Sequence, residues 1–498
     1  MEQSLSRVHS RQALSRESFS IVQQRPIQIA VIGGGISGLS AAHRLQELDS
    51  YCRVTLFEAS ERIGGVIRSE QQGDCLVDRG ADMFTTRDPW ALDLCQRINF
   101  DNQLISTNGK QRRAFVVHRG QLCEVPPGFT LMSPSRIYPV LRTPLLSWKG
   151  KLRLAAEILV PRKKDQADES LTAMATRRFG QEAYERLIQP LIGGIYTADP
   201  EKLSMAATMP QFAEMEREFG SLIRGVRKAA QNKPPASGAR YGMFVAPQGG
   251  MTDLVDAIAA RLPTNTIQRQ RTVSQVQRTA TGWEVHTEQP QQPQVFDGVL
   301  VAIPAFRAAD ILACNHEDLA TQLRSIPYAS AAVTALVYRR EQIKHALNGF
   351  GFVVPQCAGR RILAASFSHV KFAGRAPQDL ALIRVFLGGA LQSQMLDLAD
   401  HELEEVARRE LNELIGAQGP PINCQTVRWK HAMPQYHVGH LTLVSTIEQA
   451  VATLPGLEVA GNAYRGVGIP FCIRSGEQAA QRLLTHCKQA SRHRRRTP

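Results

Sequence analysis

The hydrophobic pattern changes period twice within twenty residues near the start of the chain. Gln28 to Ile32 form a mostly apolar run, the next six positions carry four glycines, and Leu39 to Leu48 space their apolar side chains as one face of a helix does. A nearly unbroken apolar run of that length fits a strand covered on both faces of a parallel sheet. The alternation returns later. "RVTLFEAS" (53–60) reads as a second strand, and "MFVAPQGGMTDLVDAIAARL" (243–262) and "VFDGVLVAIPAFRAADIL" (295–312) supply a middle piece of the same unit. "LPGLEVAGNAYRGVGIPFCIRSGEQAAQRLL" (454–484) gives a strand, a glycine-punctuated loop and an amphipathic helix beginning near Cys472. The segment from Pro126 to Gln231 is rich in helical pattern instead. The expected fold is α/β with an added α region. A discontinuous Rossmann-like domain is assembled from 27–85, 243–310 and 430–485, a mixed-sheet domain from 86–125 and 311–429, and a helical domain from 126–242. Residues 1–26 read as a disordered extension and 486–498 as a basic disordered tail.

Composition narrows this little. A chain of 498 residues with 43% hydrophobic and 21% charged residues can bury a large core over two or three domains. The longest apolar runs, such as "GVLVAIPAF", are too short to span a membrane. Residues 1–26 hold four arginines among many serines and no apolar core, unlike a secretory signal; an organellar transit peptide is the minority reading. The nine cysteines form no C-x-x-C pair and the thirteen histidines no metal-ligand spacing, so no metal is expected. Net charge is +14 at pH 7, part of it in "SRHRRRTP". No zinc-finger, helix-turn-helix or aromatic RNA-binding pattern accompanies the basic residues, so nucleic acid is not an expected partner.

The glycine cluster carries the chemistry. Gly33, Gly35 and Gly38 fit G-x-G-x-x-G: the first permits the tight turn, the second lets the backbone approach a pyrophosphate, and the third lets helix pack on strand. Helix N-terminal amides then face the phosphates. Glu58, twenty residues beyond Gly38, ends the second strand, where a carboxylate accepts from ribose hydroxyls. NAD and FAD both fit so far. The next stretch, "ERIGGVIRSEQQGDCLVDRGADMF", adds Gly64 and Gly65 with Arg62 and Arg68, and resembles the second FAD motif of the amine oxidase, phytoene desaturase and protoporphyrinogen oxidase superfamily. That resemblance implies FAD, with the loop wrapping the pyrophosphate and a basic residue offsetting its charge; either arginine also reads as a surface residue. The helix near Cys472 would offer amides to the flavin pyrimidine edge. Further cofactor contacts are implied at Ile36, Ser37, Ala59, Val273, Gly461, Val467 and Ile469.

"GNAYRGVGIPFCIRSG" is similar to the C-terminal motif of protoporphyrinogen oxidases in particular, as are "PLIGGIYTADPEKLSM" (190–205), "GFGFVVP" (349–355) and "ILAASFSHVKFAGRAP" (362–377). The resemblance runs from about Ile27 to Leu484. It implies oxidation of protoporphyrinogen IX to protoporphyrin IX, a six-electron reaction with O₂ as acceptor yielding hydrogen peroxide. The alternatives are coproporphyrinogen III oxidation and, from another class, a flavin-binding scaffold without turnover. No strong base is needed, and no Ser/His/Asp or Cys/His constellation stands out. The resemblance implies that Gly194 matches a glycine whose carbonyl faces pyrrole N–H groups, Val353 an apolar flank and Phe386 a stacking aromatic; Gly194 also reads as a turn glycine and Phe386 as ordinary core. At the family's propionate-pairing arginine this chain has Ala114. A one-residue bulge would restore Arg113, which is the assignment, with Arg112 and Arg119 as competitors. "SWKGKLRLAAEILVPRKK" (147–164) sets basic charge beside apolar residues, and the resemblance favours a membrane-surface role over a packed helix. The helical domain is therefore expected to associate with the cytoplasmic face of an anionic membrane as a peripheral protein, and a homodimer is left open.

Overall fold

The computed structural model describes residues 25–165, 167–231, 243–289, 292–314 and 316–493. At its centre the strand Gln28–Ile32 pairs in parallel with Arg53–Phe57 on one side and Gly298–Val301 on the other, and Ile267–Gln268 and Leu457–Val459 take the two edges. Its apolar run divides between two cores. Ile29 and Val31 pack under the helices Ile36–Leu48, Met251–Ala259 and Ile469–His493, while Ala30 and Ile32 pack against Ala305–Leu312, Glu317–Arg324 and His440–Ala452. Alternation of side chains along one strand therefore serves both layers, which is why polar positions are missing from it.

A second sheet of seven strands runs in the order Asn423–Pro434, Tyr328–Arg339, Leu380–Gly388, Ala364–Phe367, Gly351–Val353, Phe115–His118, Gln121–Glu124. It is mixed: every neighbour is antiparallel except Gly351–Val353 with Phe115–His118. One face packs on the helix Asp400–Ile415 through Phe115, Val117, Phe352, Ala365 and Val385. The other meets a layer of short helices between Ile137 and Gln231. Within that layer Glu157 and Arg178 are fully buried and ion-paired, and Glu157 also accepts from Ser221 Oγ (2.5 Å) and the Leu222 amide (2.8 Å). Each charge is thus matched, which is the condition for burying one.

The structure moves several of the expected boundaries. The helix Trp90–Arg97 sinks Ala91, Leu94 and Cys95 into the first nucleotide-fold core rather than joining the mixed sheet, and Glu317–Arg324 does the same in the second. Residues 430–434 complete the edge strand of the seven-stranded sheet. The C-terminal helix starts at Ile469, one turn before Cys472, and continues to His493, so 486–493 are helical where a tail was expected; Cys487 within them is buried against the sheet. The stretch 222–242 reads from its sequence as a flexible basic return linker, but Leu222–Gln231 form a helix; residues 232–242, 1–24 and the last five lie outside the described residues.

Candidate functional site

The two glycine loops meet. Gly33 turns at φ +106, where a Cβ would stand 2.6 Å from the Ala302 carbonyl, and at Gly38 a Cβ would lie 1.9 Å from the Gly33 carbonyl. Gly35 differs: its φ is −72 and, among the described residues other than its chain neighbours, no atom lies within 4 Å of a Cβ position, so the space beside it is open. Gly64 bridges to Gly35 in parallel fashion, its amide donating to the Gly34 carbonyl (2.8 Å), and a Cβ on Gly65 would contact Gly35 Cα at 3.4 Å. Glu58 closes one end, accepting from the Gly34 amide (2.7 Å) and from Ser60. Ala59 follows it, and Val273 lies alongside, since the Arg271 amide donates to the Glu58 carbonyl (2.9 Å). Arg62 is turned onto its own loop, donating to the carbonyls of Ile63, Gly65 and Ile67, and burial depresses its affinity for a proton. Arg68 pairs with Glu70. Both expected phosphate-facing arginines therefore hold the loop's shape.

The end of the chain returns to the same place. Gly476 of the C-terminal helix packs on the first helix so closely that a Cβ would come within 2.1 Å of the Ser37 carbonyl. This crossing lays the second turn of the C-terminal helix on the first turn of Ile36–Leu48, and each helix begins with first-turn amides that lack helical acceptors. Burial pushes the Cys472 thiol up to about 12, so it stays neutral. The loop from Gly461 through Val467 is clamped from behind. Tyr436 donates to the Asn462 carbonyl (2.5 Å) and accepts from the Gly466 amide (2.8 Å), and its ring stacks on His440 at 3.9 Å, whose Nε2 is 2.9 Å from the Tyr464 carbonyl. Open backbone at Gly35, a carboxylate at the end of the second strand and the N-terminus of the helix Ile36–Leu48 fit a dinucleotide such as FAD.

Beyond this cleft, Val353, Ala364, Phe386 and Val333 form one register row across the seven-stranded sheet. Paired residues share a face, so Val353 and Phe386 stand together about two strand spacings, roughly 10 Å, apart. Gly194 faces them: a Cβ on it would touch Val353 Cγ1 at 3.5 Å. It sits in the last turn of the helix Gln189–Tyr196, which follows a π-turn at Tyr184–Ile188 and ends on left-handed Thr197. The crevice between that helix and the Gly388–Leu391 turn is lined by Gly193, Gly194, Thr197, Leu363 and Gly389.

Arg113 does not join them. The bond from the Arg113 amide to the Gln111 carbonyl (2.7 Å) closes a three-residue turn centred on Arg112 (φ −72, ψ 57). Ala114 and Val116 then face the helical layer with Val353, whereas Arg113 turns exposed to the side of Phe115, both lying next to Gly349. Arg119 occupies the exposed hairpin turn at φ +51. Arg112 is half-buried and its Nε has no hydrogen-bond partner. In place of the expected bulge there is a turn, which leaves Arg113 exposed and Arg112 half-buried.

Sequence reasoning missed a buried charged group beneath the site, formed by Asp82, Lys371 and Arg384, with Lys371 Nζ 2.8 Å and Arg384 Nη1 2.9 Å from Asp82 Oδ2. The segments "DRGAD" (78–82), "SHVKFAG" (368–374) and "LIRVF" (382–386) set Asp82, Lys371 and Arg384 among small or apolar residues, which was the available signal.

The family described as flavin containing amine oxidoreductase matches residues 36–484. Coproporphyrinogen III oxidase of Bacillus subtilis (strain 168) is 30% identical over 92% of this chain and 98% of its own. Protoporphyrinogen oxidase 2, chloroplastic/mitochondrial, of Arabidopsis thaliana is 27% identical over 93% of this chain and 95% of its own. The crystal structure of a candidate protoporphyrinogen oxidase from Exiguobacterium sp. 255-15 superposes with TM-score 0.82 at 27% identity, covering 92% of this chain and 98% of that one.

Proposed function

We propose that this chain, which belongs to the flavin containing amine oxidoreductase family, is an FAD-dependent porphyrinogen oxidase whose first substrate is protoporphyrinogen IX. One observation supports the substrate reading: Gly194 stands beside the Val353–Ala364–Phe386 row, a Cβ on it reaching Val353 Cγ1 at 3.5 Å, so a backbone turn, an apolar flank and an aromatic ring gather at one face of the sheet. A flat macrocycle with pyrrole N–H groups suits such a face. When bound, FAD supplies the two-electron acceptor. The chain's part is to hold and exclude. Gly33, Gly35, Gly38, Gly64 and Gly65 with Glu58 hold the dinucleotide; Val353 and Phe386 keep water from the ring faces; the Gly194 carbonyl orients pyrrole N–H groups. Each of three turns removes a hydride from a bridging sp³ carbon and a proton from a pyrrole nitrogen, and that nitrogen acidifies as the hydride leaves. No histidine or carboxylate stands in the row, consistent with a reaction that needs no strong base.

Coproporphyrinogen III is the second reading, supported by the 30% identity to the Bacillus subtilis enzyme of that name. Aerobic incubation of purified protein with each porphyrinogen, followed by porphyrin fluorescence and peroxide release, ranks the two. The assignment predicts a higher kcat/KM with protoporphyrinogen IX; a clear preference for coproporphyrinogen III selects the second reading. Yellow protein that oxidises neither is a flavin-binding scaffold.

The helical layer is proposed to rest on an anionic membrane surface at the cytoplasmic face. Trp148 is 71% exposed, Leu152 70%, Leu159 78% and Tyr138 61%. Lys151 lies over the Trp148 ring at 4.8 Å and Arg142 over Tyr138 at 4.6 Å, placing cations beside apolar anchors. Among the described residues no helix is long and apolar enough to cross a membrane.

A further inference from the structure

Four buried cations and three carboxylates pack between the second glycine loop and the seven-stranded sheet, and their pairing does not balance. Arg375 pairs with Asp78 (3.3 Å) and Arg79 with Glu70 (3.0 Å), leaving Asp82 to face both Lys371 (2.8 Å) and Arg384 (2.9 Å). The three arginines are 1% exposed and Lys371 5%. At the margins Arg68 is 41% exposed and Asp253 has Asp256 beside it, so the imbalance is local: Asp82 alone faces two buried cations. Such an excess, out of water, is costly unless an anion offsets it. Among the described residues Arg384 Nε has no hydrogen-bond partner, and neither has Ser366 Oγ on the residue paired with it across the sheet.

The cluster touches both halves of the site. Arg384 Nη2 donates to the Gly80 carbonyl, and Gly80 packs on the Val66 carbonyl so tightly that a Cβ would come within 1.9 Å of it. Val66 follows Gly65, which lies against Gly35. On the other side the Arg384 guanidinium stands 5.3 Å from the centre of the Phe386 ring. Charge that develops where cofactor and substrate meet develops next to this excess.

In each turn of the proposed reaction a substrate C–H bond breaks and its hydride, two electrons with one proton, forms an N–H bond on the flavin, while the pyrrole proton leaves to solvent. The flavin thereby passes from neutral to singly negative. From this geometry we infer that the Lys371–Arg384–Asp82 cluster is a positioning and tuning element that favours the reduced, anionic flavin over the oxidised one, by holding uncompensated positive charge between the glycine cleft and the Phe386 face. The inference rests on the FAD binding proposed above. A neighbouring cation stabilises an anion, and removing a cation or a carboxylate must act with opposite signs.

The test compares Lys371→Met, Asp82→Asn and Lys371→Arg, each purified with FAD bound, by equilibrating the flavin with a reference redox dye. Lys371→Met is expected to shift the oxidised–reduced equilibrium roughly tenfold against reduction and Asp82→Asn roughly tenfold toward it, the effect of one charge over about 10 Å at an effective dielectric of about 20. Lys371→Arg should match the parent. Shifts of the same sign, or none in either variant, overturn the inference and leave a purely structural clamp, which would lower melting temperatures without moving the equilibrium. Should Lys371→Met fail to fold, the sign of the Asp82→Asn shift decides. No porphyrinogen enters this measurement, so a wrong substrate leaves it intact, whereas protein that binds no FAD overturns both readings.

Discussion

Gly35 has room for a side chain only as long as nothing lies against it. Because a Cβ there meets no protein atom within 4 Å, Gly35→Val is expected to change folding stability by no more than about 0.5 kcal/mol yet yield colourless protein; a melting curve and the flavin released on heating check both halves. Gly38→Val should instead fail to fold, since its Cβ would stand 1.9 Å from the Gly33 carbonyl. At the other end of the site, Arg112→Ala is expected to raise KM about ten- to a hundredfold with kcat little changed, the loss of a charged hydrogen bond worth roughly 1.5–3 kcal/mol, while Arg113→Ala leaves KM alone. A rise for Arg113→Ala alone would restore the sequence register. Gly33 and Gly38 were legible because the constraint on each is local: a positive φ at the first and close backbone approach at the second. The choice between the arginines is less legible, because a bond from the Arg113 amide to the Gln111 carbonyl sets the local turn and no residue type encodes that bond.

Among elements, the helix Trp148–Ala155 shows what a hydropathy pattern leaves undecided. Leu154 is buried at 1% while Leu152 is 70% exposed, so the helix packs through one leucine and presents the other together with Trp148. Sequence spacing supplied both apolar faces and could not say which one the layer covers, because that depends on partners such as Glu157 and Arg178, more than twenty residues apart. Each apolar side chain inserted into an interface contributes about 1.5–3 kcal/mol and each basic residue at an anionic surface about 1 kcal/mol. The double substitution Trp148→Ser, Leu152→Ser is therefore expected to abolish sedimentation with anionic vesicles, and rising salt to weaken binding of the unaltered protein. Sedimentation that survives the substitution would place the contact elsewhere. The C-terminal helix teaches the converse. Its glycine at 476 is spaced for contact with Ser37, and the motif around it was readable, but its length was not, since the basic residues near His493 resemble a solvated run.

For the whole molecule, the buried charges at Asp82 join the nucleotide fold to the seven-stranded sheet and make stability depend on acid. Burial opposes ionisation of Asp82, but Lys371 and Arg384 outweigh it and hold the carboxyl at about 2 against an ordinary 3.8. A folded value below the unfolded one means the contribution is complete above about pH 4 and is lost as pH falls toward 2, amounting to about 2 kcal/mol. Denaturant titrations at pH 5 and pH 2.5 should show this loss, and Asp82→Asn should flatten it. The division into a split nucleotide fold, a mixed sheet and a helical layer followed from pattern, whereas the helices Trp90–Arg97 and Glu317–Arg324 changed sides because burial of a few apolar residues, not chain order, fixes membership of a core. The claim that joins the layers is that a flavin in the glycine cleft takes hydride from a porphyrinogen held on the Val353–Phe386 face. Anaerobic mixing of FAD-loaded protein with protoporphyrinogen IX or coproporphyrinogen III tests it directly: the yellow absorbance should bleach as porphyrin fluorescence rises, with Gly35→Val protein silent. Flavin that stays oxidised with both porphyrinogens would contradict it.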